Sequence, residues 1–196
     1  MYEYISGKLI EITPTYLVVD ANGIGYRTHI SLNTYTSFQN KNEAKVYIHQ
    51  VVKEDSNEMF GFAEKAERSM FLLLISVSGV GAATGLMMLS AMGLNDIKEA
   101  IASGDVAVLQ SIKGIGAKTA QRIIIDLKDK VVKLEGETFT STSAGVPKSQ
   151  EREEAIAALL MLGFKKNIVE KAINKIIKAQ PDASVEEIIK LSLKQL

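Results

Sequence analysis

Two short stretches of this chain repeat one pattern: GVGAATG from Gly79 and GIGAKTA from Gly114, 35 residues further on. Each sets glycine, one aliphatic residue and glycine ahead of a segment with helical spacing. A glycine in a helix costs roughly 1 kcal/mol relative to alanine, so two such pairs at a fixed spacing imply a backbone geometry needed twice. Glycine permits a tight turn and lets a ligand come close to the main chain. The first N–H groups of the helix that follows lack intrahelical partners and lie at its positive end. Together these features make a seat for one phosphate. The candidate DNA-binding residues are therefore Gly79, Val80 and Gly81 in the first turn and Gly114, Ile115 and Gly116 in the second. Val80 and Ile115 would serve as apolar anchors between helices. Lys118, Thr119 and Arg122 follow the second turn and can supplement its backbone donors. Two seats on consecutive hairpins would grip neighbouring phosphates and ignore base sequence.

Other chemistries fit less well. Gly79, Gly81 and Gly85 give GxGxxxG rather than the dinucleotide GxGxxG, and GIGAKTA lacks the Gly-Lys-Ser/Thr of a P-loop, so ATP hydrolysis is not expected. The absence of cysteine excludes disulfides, thiol catalysis and cysteine zinc sites, and it is compatible with a reducing cytoplasm. His29 and His49 stand in predicted strands without a carboxylate pattern and read as structural or surface residues. Glu54, Asp55 and Glu58 are the acids nearest to a divalent-cation cluster, and three acids on one turn more often stay unliganded. Asp126 and Asp129 would suit a glycosylase acid only beside a base pocket, and DLKDK more simply offers i,i+4 surface pairing. No catalytic residue, metal or cofactor is expected.

The 23 basic and 23 acidic residues cancel, which argues against binding a polyanion through bulk charge. Seats built from backbone N–H groups need few cations and remove that objection. The first residues lack a basic segment followed by an apolar core, and the longest apolar run is broken by four glycines and three serines. Neither a secretory signal nor a membrane helix is expected, and the chain reads as soluble.

The elements that must hold these residues follow from periodicity. Residues 1–63 carry five runs rich in β-branched and aromatic residues, with Asn22-Gly23 as a hairpin signal, and predict a small barrel of OB type. SLNTYTSFQNKNE connects the third and fourth strands. Residues 64–134 switch to helical spacing in short helix–turn–helix pairs, with Asn95 and Ser111 as turn or cap residues. Residues 135–150 are rich in Ser, Thr and Gly and read as a tether spanning roughly 20 Å. Residues 151–196 predict three amphipathic helices, the first capped by Gly163 and the third preceded by Pro181-Asp182. The fold class is thus a β-barrel plus all-α multidomain chain.

On these motifs the chain resembles the RuvA family, the Holliday-junction-binding subunits of bacterial branch-migration complexes. YISGKLIEI and NGIGYRTHI are similar to that family's barrel. LLISVSGVG and IKGIGAKTAQRIIIDLKDK are similar to its two helix-hairpin-helix motifs, and AIAALLMLGF to the start of its C-terminal domain. The resemblance implies a cytoplasmic, non-enzymatic homotetramer that binds four-way junction DNA, with one or two tetramers per junction. It implies that Glu54 and Asp55 form an acidic pin at the crossover. It also implies a RuvB motor ATPase as partner, docked on the last bundle through Leu159 and Leu162, with the RuvC resolvase as a further partner. One departure stands out: family members often carry Pro-Lys after the second glycine of the first motif, where this chain has Ala82-Ala83. Its first hairpin is then expected to bind by backbone alone. Two rival readings are a structure-specific nuclease or glycosylase, and a protein-interaction adaptor built on a bundle similar to ubiquitin-associated domains.

Overall fold

The computed structural model describes residues 2–138, 148–180 and 183–195, in two compact units, Met1–Phe139 and Thr140–Leu196. The first unit opens with strands β1 (Tyr4–Ile12), β2 (Tyr16–Ala21), β3 (Ile24–Ile30), β4 (Glu43–Val52) and β5 (Asn57–Phe62). They close into a barrel in the order β1-β2-β3-β5-β4, with helix α1 (Leu32–Phe38) leading from β3 to β4, as an OB-fold requires. Alternating residues point inward, so that Ile5, Leu17, Val19, Ile30, Val46 and Ile48 form the barrel core. The β2–β3 hairpin turns on Asn22 and Gly23, both at positive φ, 55° and 85°. The barrel closes through a short parallel contact pairing His29 with Phe60 and Ile30 with Gly61. A Cβ on Gly61 would lie 2.6 Å from Thr28 Oγ1, so this seam has no room for a side chain.

Five helices follow: α2 (Lys65–Ile75), α3 (Ala82–Ala91), α4 (Leu94–Ser103), α5 (Val106–Gln110) and α6 (Ala117–Thr138). Ser111 caps the C-terminus of α5, whereas Asn95 lies inside α4. The cap of α4 is Gly93, whose N–H donates to the Asp96 carboxylate at 3.2 Å. Helix α6 runs to Thr138, into the stretch read as a tether, because the residues after Leu134 continue the helical hydrogen bonding. The tether residues 139–147 and the pair Pro181-Asp182 lie outside the described residues.

Barrel and helices share a core. Phe60 and Phe62 of β5 pack on Phe71 of α2, at ring separations of 5.3 and 4.9 Å. A polar joint reinforces the contact. The buried Glu67 carboxylate of α2 accepts hydrogen bonds from Ser31 Oγ and, at 2.7 Å, from Thr34 Oγ1, at the start of α1. Arg68 bonds the Glu3 carboxylate at 2.6 Å and the Glu3 carbonyl at 2.9 Å, and this contact holds the Glu3 carboxyl below its ordinary pKa. Both histidines pack on rings, His29 on Phe60 and His49 on Phe71. Burial, and then the charge of Arg68, push the His49 imidazole below the usual histidine value.

The second unit contains α7 (Lys148–Met161), α8 (Lys166–Ala179) and α9 (Val185–Leu193). Ala155, Leu159, Val169, Ile173, Ile176 and Ile188 form its core. Gly163, at φ 94°, ends α7 in a Schellman turn: its N–H bonds the Leu160 carbonyl and that of Phe164 bonds Leu159. Ser184 and Glu187 cap α9 reciprocally.

Candidate nucleic-acid interface

The two glycine turns carry the same hydrogen bonds at the 35-residue offset. Gly79 has φ 95° and Gly114 φ 92°, a left-handed conformation that glycine adopts without a Cβ penalty. The Val80 N–H bonds the Val77 carbonyl, and the Ile115 N–H bonds that of Ile112. The Ser76 hydroxyl bonds the Leu73 carbonyl at 2.6 Å, and that of Ser111 bonds Val108 at 2.7 Å. Gly81 and Gly116 then accept the first helical bonds of α3 and α6, from Gly85 and Ala120. Val80 and Ile115 are buried, as apolar anchors between helices would be, so their side chains are withdrawn from any ligand.

The second glycine of each pair is informative. Gly81 has φ −84°, Gly116 is not among the positive-φ glycines, and a Cβ on either would meet no protein atom within 4 Å. Neither conformation nor internal packing demands glycine there. Both residues are exposed and stand where the free N–H groups of α3 and α6 begin. A bare backbone at these points leaves room for a ligand to reach those donors. The N-caps Ser31, Asp105 and Ser184 instead place a side-chain oxygen on their helix starts.

The cations are unevenly divided. Lys118 is exposed beside the second turn, and so is Lys113, which the sequence reading passed over although it directly precedes Gly114. The first turn has no counterpart. Arg122, exposed on α6, reaches back to it instead: its Nη1 donates to the Ser78 carbonyl at 3.1 Å. Thr119 is also close, its Oγ1 3.9 Å from where a Gly79 Cβ would stand. The two turns are therefore neighbours, joined by side chains of the second.

The acidic pair forms the tip of a ribbon. β1 pairs with β4 only as far as Tyr47, and β3 meets β5 only at Phe60 and Gly61. Beyond the His49–Phe60 pair, β4 and β5 pair with each other alone, from Gln50 opposite Met59 to Val52 opposite Asn57. Lys53 N–H bonds the Ser56 carbonyl at 2.8 Å, leaving Glu54 and Asp55 exposed at the turn. Asp126 and Lys130 on α6 make no i,i+4 ion pair, contrary to the surface pairing that DLKDK suggests.

In the C-terminal bundle one expected docking residue must be withdrawn. Leu159 is 0% exposed and belongs to the core, because it faces α8 and closes the Schellman turn. Leu162 is 61% exposed and Met161 90%, with Leu160 and Ile168 also open, so the apolar face lies around the Gly163 turn.

A barrel bearing an acidic ribbon, followed by paired helix-hairpin-helix turns, defines a protein that handles nucleic-acid backbone. Family comparison narrows this. Residues 1–61 match the RuvA N terminal domain, residues 71–129 the SAM-like helix-hairpin-helix tandem, and residues 150–196 the RuvA C-terminal domain. The chain is 51% identical to a protein of Christiangramia forsetii over the full length of both, and 47% identical to one of Bacteroides thetaiotaomicron, again over both full lengths. A Cytophaga hutchinsonii protein is 43% identical over 99% of each chain. All three are named Holliday junction branch migration complex subunit RuvA. The chain belongs to the RuvA family.

Proposed function

We propose that this chain is the junction-binding, non-catalytic subunit of a branch-migration complex. It grips four-way DNA through backbone phosphates seated on α3 and α6, independently of sequence. Glu54 and Asp55 lie at the crossover, where their charge repels phosphates and keeps the strands apart. The chain works in the cytoplasm as a homotetramer that presents four such ribbons. Its C-terminal bundle docks a RuvB-type motor ATPase through Leu162 and Met161. The observation that carries this reading is the pair of matched turns within the same compact unit as the acidic ribbon. Two seats of fixed spacing suit successive phosphates of one strand, and a ribbon held by the same core suits a crossover at a fixed distance from them.

Competition gel shifts of four-way junction against linear duplex of equal length test this reading. The chain should prefer the junction, and labelled junction should come through incubation with magnesium uncut; strand cleavage would favour a nuclease. Replacing Glu54→Gln together with Asp55→Asn removes two charges that each repel a nearby phosphate by about 1 kcal/mol in water. Binding to both DNAs should stay equal or tighten, while the preference for junction falls severalfold. A uniform loss of affinity for both would refute a repulsive pin.

A further inference from the structure

We propose that Arg122, although carried by the helix of the second hairpin, is the cationic member of the first phosphate seat. The inference rests on the reading that the glycine turns hold phosphates. The first turn and its helix, residues 76–91, contain neither lysine nor arginine, whereas the second turn is flanked by Lys113 and Lys118. Arg122 crosses the gap, its Nη1 bonded to the carbonyl of Ser78, the residue preceding Gly79. Thr119, one helical turn earlier, stands against Gly79 itself. The exchange runs one way. At the 35-residue offset the counterparts of Arg122 and Ser78 are Met87 and Lys113, and a methionine cannot donate to a carbonyl. A guanidinium carries five N–H donors in a planar fork, and the Ser78 carbonyl uses one. Clasped there, Arg122 fixes the two turns side by side and brings a permanent positive charge to the turn that lacks one. The first seat is thus composite: backbone donors from α3 and charge from α6.

The test compares the full chain with Arg122→Met, Arg122→Gln, Ala83→Lys and the double variant Arg122→Met/Ala83→Lys. Fluorescence anisotropy measures junction binding across a salt series. Arg122→Met should weaken binding about tenfold, the scale of one charge-assisted contact, and flatten the salt slope by about one counterion. Glutamine keeps a donor for Ser78 without the charge and should behave like methionine. Ala83→Lys should change little alone but recover most of the affinity and the slope in the Arg122→Met background, because it restores a cation to the first seat. Equal effects of Ala83→Lys in both backgrounds would put the charge of Arg122 elsewhere and overturn the inference. So would full binding by Arg122→Gln, which would make the arginine a clasp only. Thermal melts identify any unfolded variant, and if methionine unfolds the chain, the same comparison is made on Arg122→Gln. Failure of the unmodified chain to bind junction would sink the parent reading instead.

Discussion

Gly116→Val should abolish junction binding at moderate salt, by about a hundredfold or more, while the free chain melts within a few degrees of the original. The free protein tolerates the substitution because Gly116 lies outside the left-handed region and a Cβ there meets nothing within 4 Å. Losing glycine at a helix start costs at most about 1 kcal/mol. On the proposed reading, the isopropyl group would stand where a phosphate approaches the N–H groups of Ala117 and Lys118. Two companions fix the interpretation. Gly114→Val forces a β-branched residue to φ 92° and should lose stability and binding together. Lys118→Ala removes one exposed charge and should weaken binding modestly, with the salt slope reduced by about one. Anisotropy titrations and thermal melts on the three variants separate these outcomes. Normal binding by Gly116→Val would mean that no phosphate sits on α6.

The second large effect concerns the C-terminal bundle, where two leucines three residues apart should fail in opposite ways. Leu162→Asp changes an exposed side chain at the end of α7 and should leave the bundle folded and junction binding intact, yet abolish stimulation of a RuvB-type motor. Leu159→Asp buries a carboxylate in an apolar core without a partner, at a cost of several kcal/mol. A unit this small has about that much stability to lose, so Leu159→Asp should unfold it. Proton–nitrogen NMR spectra of the full chain report whether the bundle is folded, and motor-driven branch migration reports docking. Normal branch migration with Leu162→Asp would move the docking surface elsewhere.

Local signals were legible in the sequence and distant ones were not. The alternation of strand residues, Asn22-Gly23 and the repeated glycine pairs act over a few residues, and each led to the right element. The docking reading of Leu159 failed because helical spacing marks Leu159 and Leu162 alike as apolar. Only the Schellman turn at Gly163, which folds Phe164 back toward Leu159, decides which of them faces inward. Asn95 looked like a cap by residue type, but Gly93 with Asp96 performs that task two residues earlier. The end of α6 was misjudged because its last residues, Glu135–Thr138, carry glycine and threonine that read as loop. Contacts that join elements far apart in the chain left no local mark. Glu67 meets Ser31 and Thr34 across more than thirty residues, and Arg122 meets Ser78 across forty-four. The role of Arg122 was therefore legible as a nearby positive charge but not as a bridge between hairpins.

The most direct test of the paired-seat account is a junction in which single backbone phosphates are replaced, one at a time, by neutral methylphosphonates. Loss of one charge and its acceptor oxygen should matter only where a helix start receives it. The account predicts a sharp fall in affinity at two neighbouring phosphates on each arm, at positions fixed by distance from the crossover and unchanged when the base sequence is altered. Gly116→Val should become indifferent to one of the two. Uniform tolerance along the arms, or a pattern that moves with base sequence, would contradict it.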